Sequence, residues 1–221
     1  MRQAGSNGST ISQATVSRIE LMLSAAVQTE LDAAQKFGDL LEQIVIGKKY
    51  TDAERDTLLL AYWELVSDFH RGIHALLLNE LFGSAFALVR PTVENLVRAH
   101  IALMGSADEV KSLRDDTYKV NFKEIGAKID AAFGLGHLME NFLNERTRDA
   151  LHSYTHGGLQ QLGRRFREGE VRPNYGDVEI IEIVRVSTSA LFMLTNLVTK
   201  HFGFEDDWKK VTEMYCEWGK R

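Results

Sequence analysis

The chain has 221 residues, of which 44% are hydrophobic and 26% charged, the composition of an ordinary globular protein. Its net charge of −5 excludes the overall positive field that drives nonspecific nucleic-acid binding, so contact with nucleic acid would need a local basic patch. The single cysteine, Cys216, excludes an internal disulfide and fits a reducing cytoplasm. The sequence contains no apolar run of about 18 residues, so it predicts no membrane-spanning helix.

The sequence predicts one domain preceded by a short arm. Residues 1–11 are polar, lack the apolar core of a signal peptide and are expected to form a flexible arm. Residues 12–221 are a suitable length for a single domain. Only two prolines, Pro91 and Pro173, occur in the chain, which favours long uninterrupted helices.

The first half of the chain predicts three long helices. Apolar residues recur at spacings of three to five from about Ser12 to Ile46, which indicates the first helix. Thr51 and Glu54 have the spacing of a capping box and predict the start of the second, which is expected to end or bend near Gly83.

The third helix is expected to cover residues 83–104. Pro91 inside it predicts a kink or a break, because proline lacks an N–H and its ring clashes with the preceding turn.

The second half predicts shorter helices around one long apolar helix. Ser106 and Glu109 form a second capping box, at the start of a charged helix. Further helices are predicted at 122–133, 138–154, 177–201 and 206–218, with a loop at 163–176. The 177–201 segment is apolar on almost every side and should be central, although its β-branched start, residues 178–186, leaves a strand as an alternative. The prediction is an all-α bundle of about seven helices with long antiparallel core helices.

The stretch from Leu143 to Gly158 is the densest in groups that can donate, accept or move a proton. It contains Arg146, Arg148, Asp149, His152, Tyr154 and His156. On a helix, Arg148, His152 and His156 fall on one face, about 40° apart per step. Histidine can transfer a proton near neutral pH, and arginine can bind phosphate with paired donors. Together these side chains are sufficient for cleaving RNA without a metal.

A second polar series lies on the third predicted helix. Arg90, Glu94 and Arg98 are spaced at i, i+4 and i+8 and therefore share a face. If this series is exposed, it contributes little stability; if it is buried, it forms a polar centre whose members must be paired.

An all-helical chain with the motif Arg146-x5-His152 late in the bundle resembles the HEPN superfamily, often ribonucleases of toxin–antitoxin and phage-defence systems. The Ser153–Gly157 ending and the Arg90–Glu94–Arg98 series resemble uncharacterised bacterial families associated with that group. The resemblance implies a catalytic pair of Arg146 and His152 at a homodimer cleft, supported by Arg148 and His156, with a stress or defence role and a regulatory partner such as an antitoxin. No cofactor is implied.

Which arginine accompanies His152 is open at this point. Arg146 lies about 120° around a helix from His152, whereas Arg148 shares its face. A non-catalytic alternative is that His156 and the glycines end the helix while Arg148 pairs with Asp149 or Glu145. In that case the protein would be a helical interaction module with a structural polar network.

Two His-x3-His pairs suggest a third hypothesis, a DinB-like metal-binding bundle. His70 with His74 and His152 with His156 have chelating spacing on helices, and His100, Glu94 or Asp68 would supply further ligands. The ferritin-type Glu-x-x-His pattern is absent from the sequence. We therefore expect no metal, and we expect His70 and His74 to be partly exposed.

The predicted loop after the motif is basic. Arg164, Arg165 and Arg167 are candidates for RNA binding at the edge of the cleft, with Phe166 and Tyr175 available to stack on bases. The alternative is a solvated loop without such a role.

Overall fold

The computed structural model describes residues 23–134, 136–155, 162–167 and 170–220, without the side chains of residues 123, 145–148, 150 and 167. This part of the chain is an all-α bundle, as the sequence predicts, with one small hairpin. Its elements are α1 (Ala25–Val45), α2 (Glu54–Leu78), α3 (Phe82–Met104), α4 (Ala107–Arg114), α5 (Phe122–Phe133), α6 (Leu138–Phe142), α7 (Glu145–Thr155), β1 (Phe166–Arg167), β2 (Glu170–Val171), α8 (Asp177–His201) and α9 (Glu205–Trp218). Across the described helices, none combines the length and apolarity needed to span a membrane.

The core lies between α1, α2, α3 and α8. Helices α2 and α3 pack along each other after the short turn at residues 79–81, and α8 packs against α1, α2 and α3. The central position predicted for α8 is therefore confirmed. The indole N–H of Trp63 on α2 donates to the Thr195 hydroxyl on α8 over 2.9 Å, which satisfies a polar group inside this core.

Helix α3 continues through Pro91 from Phe82 to Met104, so the predicted alternative of a break is wrong. Val89 and Val93 on either side of the proline are buried. Their packing compensates for the backbone hydrogen bond that proline removes.

One of the two predicted capping boxes forms. The Ser106 hydroxyl accepts from the Glu109 N–H at 3.2 Å, and the Glu109 carboxylate accepts from the Ser106 N–H at 2.8 Å. The prediction for Thr51 is wrong: α2 begins at Glu54 after Ala53, and the Thr51 hydroxyl donates to Asp56 instead.

The predicted helix at 138–154 is two helices, α6 and α7. The carboxylate of Asp130 accepts the N–H groups of Met139 and Glu140, each at 2.9 Å, and so fixes the start of α6. The predicted loop at 163–176 contains the β1–β2 hairpin, and residues 178–186 are helical, which rules out the strand alternative. The predicted arm at 1–11 and residues 12–22 of the predicted first helix lie outside the described residues. The expectation of one continuous helix from Ser12 is wrong, because α1 begins at Ala25, where the extended Ser24 caps it by accepting the Val27 N–H.

Candidate functional site

The candidate site is built from α7 packed against α3. Leu151 of α7 is buried and Tyr154 is half-buried, while His152 is exposed. Nδ1 of His152 lies 2.9 Å from Nη1 of Arg90 on α3. A guanidinium only donates, so Nδ1 accepts this hydrogen bond, and in this contact the ring is neutral with its proton on Nε2.

Arg90 is held from its other side by Glu94. Its Nε donates to the Glu94 carboxylate over 2.7 Å, and both side chains are about one-quarter exposed. The contacts form a chain from Glu94 through Arg90 to His152. The two polar features predicted from distant parts of the sequence thus meet in space.

Arg98 lies two turns beyond Arg90 on α3 and is half-buried. Its charge acts on Tyr62: burial raises the pKa of this tyrosine, and the Arg98 guanidinium partly opposes the rise. The charge of Arg98 likewise opposes the rise that burial causes in the pKa of Tyr118, so Arg98 acts on tyrosines of two neighbouring segments.

The remaining predicted catalytic groups lie outside what the structure describes. This holds for the side chains of Arg146 and Arg148 and for the whole of His156, so their pairing with His152 stays a prediction. Asp149 is exposed on α7, while Tyr154 points inward.

Arg164, predicted to bind RNA, is turned into the protein. Its Nη2 donates to the Tyr154 hydroxyl over 2.9 Å, and its Nη1 pairs with the Glu179 carboxylate. Its guanidinium carbon lies 5.4–5.6 Å from the ring centroids of Phe86, Tyr154 and Tyr175. We call these three rings the aromatic cage.

The ionisable groups at the aromatic cage have shifted pKa values. Burial raises the pKa of Tyr154 and of Tyr175, with the nearby arginine charges opposing the rise. Burial also acts to raise the pKa of Glu179, but the hydrogen bonds from Arg164 and from the Gly176 N–H lower it overall. Arg164, which lies among the three rings, therefore pairs with a Glu179 carboxylate that is partly exposed.

Of the other predicted RNA-binding residues, Arg165 is half-buried beside Gly83 and Tyr175 at the start of α3. The side chain of Arg167 lies outside the described residues, and Phe166 is exposed on β1.

The predicted partial exposure of His70 and His74 is wrong, because α1 and α8 cover this face of α2. His70 Nδ1 lies 3.2 Å from the Ser187 hydroxyl, and His74 Nε2 lies 2.8 Å from the Leu31 carbonyl. Burial, with a smaller effect of His74, lowers the pKa of His70 to about 4. Within the described ranges, no three His, Cys, Asp or Glu side chains are placed to hold a metal ion.

A cavity of about 560 Å³ lies away from His152, where the start of α2 meets the ends of α3, α5 and α8. Met104 and Phe133 supply apolar walls, and His201 pairs there with Asp56 over 2.7 Å. Of the predicted catalytic residues, His152 is the one whose side chain the structure describes, and it does not line this cavity.

Comparison with known proteins identifies one family. The sequence model of a family described as "Family of unknown function (DUF6988)" matches residues 63–220. The matched segment is more than half of the chain. It includes the Arg90–Glu94 pair, His152, and Arg164 with its aromatic cage. No curated protein and no solved structure matches the chain.

Proposed function

Because the chain belongs to DUF6988, a family of unknown function, its role has to be inferred from its own site, and we propose that it cleaves or binds RNA in the manner of HEPN proteins. The observation that supports this proposal is the 2.9 Å contact between Arg90 and the exposed His152. It joins a side chain that can carry a proton to a permanently charged group that can hold a phosphate.

The proposed chemistry is metal-independent transesterification. A phosphate of the substrate takes the donors of Arg90, which releases the Nδ1 lone pair of His152. Nδ1 accepts the proton of the 2′-hydroxyl as that oxygen bonds to phosphorus, and the bond from phosphorus to the 5′-oxygen breaks. The imidazolium then returns a proton to the 5′-oxygen, leaving a 2′,3′-cyclic phosphate and a 5′-hydroxyl.

Arg90 stabilises the charge that develops on phosphorus in this step, and Glu94 keeps Arg90 in place. Arg146, Arg148 and His156 are proposed to assist. By the same resemblance, the protein acts as a cytoplasmic homodimer in a stress, toxin–antitoxin or phage-defence system, with a regulatory protein partner.

Expression of matched variants tests the proposal in cells. Wild type should arrest growth and degrade cellular RNA, while His152→Ala should do neither. His137→Ala is the control, because His137 is an exposed histidine that pairs with Glu140 at the start of α6. Equal behaviour of wild type and His152→Ala would rule out the nuclease proposal.

A second candidate function is a non-catalytic helical interaction protein. The inward orientation of Arg164 favours it, since a residue predicted to contact RNA instead stabilises the protein's own packing. In that case Arg90→Ala and His152→Ala should lower the melting temperature without changing RNA integrity.

A further inference from the structure

Arg164 joins three parts of the bundle at one point. The aromatic cage takes Phe86 from α3, Tyr154 from α7 and Tyr175 from the segment before α8. Glu179, in the first turn of α8, pairs with the same guanidinium and also accepts the Gly176 N–H at 3.0 Å. One side chain therefore fixes the end of α7 relative to both long helices.

Helix α7 depends on such contacts. It has 11 residues, too few for a stable isolated helix in water. Among its described side chains only Leu151 is buried, and Asp149, His152 and Thr155 are exposed. The contacts of Leu151 and Tyr154 therefore contribute to its orientation.

The cage and the candidate site share the same two helices. Phe86 and Arg90 are one turn apart on α3, and Tyr154 and His152 are two residues apart on α7. Phe86 packs edge-on against Tyr154 with centroids 4.9 Å apart, and Arg90 contacts His152. A rotation of α7 that moves Tyr154 out of the cage also moves His152 away from Arg90.

We infer that Arg164 is a positioning residue that holds the last turn of α7, and with it His152, against Arg90. Only a planar guanidinium can bond Tyr154 and Glu179 from two nitrogens while lying among ring faces. A lysine at this position retains the charge but has a single nitrogen, so it loses this planar two-nitrogen arrangement. The inference rests on the proposed function for its catalytic consequence alone, since the position of His152 can be measured without any RNA.

Nuclear magnetic resonance of the full chain with ¹⁵N-labelled histidine tests the inference. The His152 signals are assigned with His152→Ala, and Arg90→Ala supplies the reference position for a ring that has lost its Arg90 bond. Arg164→Lys and Tyr154→Phe should both move the Nδ1 signal toward that reference, and added guanidinium should restore it in Arg164→Ala. Arg114→Ala is the matched control, because Arg114 is an exposed arginine paired with Glu54 and should leave the signal unchanged.

Tyr154→Phe keeps the ring in the aromatic cage and removes only the hydroxyl that accepts from Arg164. It therefore tests this hydrogen bond even if Arg164→Ala does not fold. A His152 signal that stays at its wild-type position in both Arg164→Lys and Tyr154→Phe, while Arg90→Ala moves it, would overturn the inference.

The RNA assay separates this inference from the proposed function. If wild type cleaves RNA, Arg164→Lys should lower kcat by about a hundredfold with a much smaller change in KM, as expected for a displacement of about 1 Å. If wild type cleaves no RNA, the proposed function fails while the resonance experiment still decides whether Arg164 positions His152.

Discussion

The surroundings of His70, His100 and His137 shift their pKa values in different directions. Burial lowers the pKa values of both His70 and His100 to about 4, so both are neutral in the folded protein. His137 is exposed, and its hydrogen bond to Glu140 raises its pKa. His152 differs from the buried pair because it combines exposure with an arginine contact.

The buried histidines predict acid sensitivity. Their folded pKa values lie below the unfolded value of 6.5, so the unfolded state binds protons first as the pH falls. Stability is then fully present above about pH 6.5 and is lost down to about pH 4, by up to about 3 kcal/mol per histidine. Urea unfolding between pH 7.5 and 4.5 measures this loss.

His70→Gln should flatten that pH dependence, whereas His137→Gln at the surface should not. A slope that is identical in wild type and His70→Gln would show that His70 is not the group responsible.

Gly38 provides a second prediction at the residue scale. A Cβ at this position of α1 would lie 2.7 Å from Nε2 of His70, a buried ring on α2. Gly38→Ala should therefore destabilise the protein by about 1–3 kcal/mol through overpacking. Gly163→Ala is the control, since no atom lies within 4 Å of its added Cβ. Equal melting temperatures for the two variants would contradict the close packing of α1 on His70.

At the scale of the element, the sequence predicts local signals better than distant ones. Ser106 and Glu109 lie within one turn and form the predicted capping box. The side chain that fixes the start of α6 belongs to Asp130, which lies nine positions before Met139. No local sequence pattern predicts this contact. The same limit explains why the sequence predicts one long helix where the structure has two separate helices, α6 and α7.

The two predicted caps can be compared directly. Ser106→Ala should cost about 1 kcal/mol, because it removes an acceptor that satisfies the Glu109 N–H. Thr51→Ala should cost less, since the Thr51 hydroxyl bonds the Asp56 side chain and caps no helix. Chemical unfolding of both variants checks the order, and a larger loss for Thr51→Ala would contradict this assignment of the caps.

At the scale of the whole molecule, hydrophobic patterning is sufficient to predict an all-α bundle and the central place of α8. The spacing of polar residues identifies His152 and the series Arg90, Glu94 and Arg98 as candidates, but only the fold brings α3 and α7 together. The aromatic cage could not be predicted, because its rings lie at positions 86, 154 and 175 and share no periodicity. The partial exposure predicted for His70 and His74 failed for a related reason: the covering helices α1 and α8 are distant in sequence.

The central claim is that His152, held by Arg90, carries the proton in metal-independent RNA cleavage. Cleavage of a labelled single-stranded RNA by the purified protein in excess chelator tests it most directly. Wild type and His137→Ala should cleave at equal rates and release a 2′,3′-cyclic phosphate, and His152→Ala should be slower by about 10²–10⁴-fold. Cleavage by His152→Ala at the wild-type rate, or no cleavage by wild type, would contradict the claim.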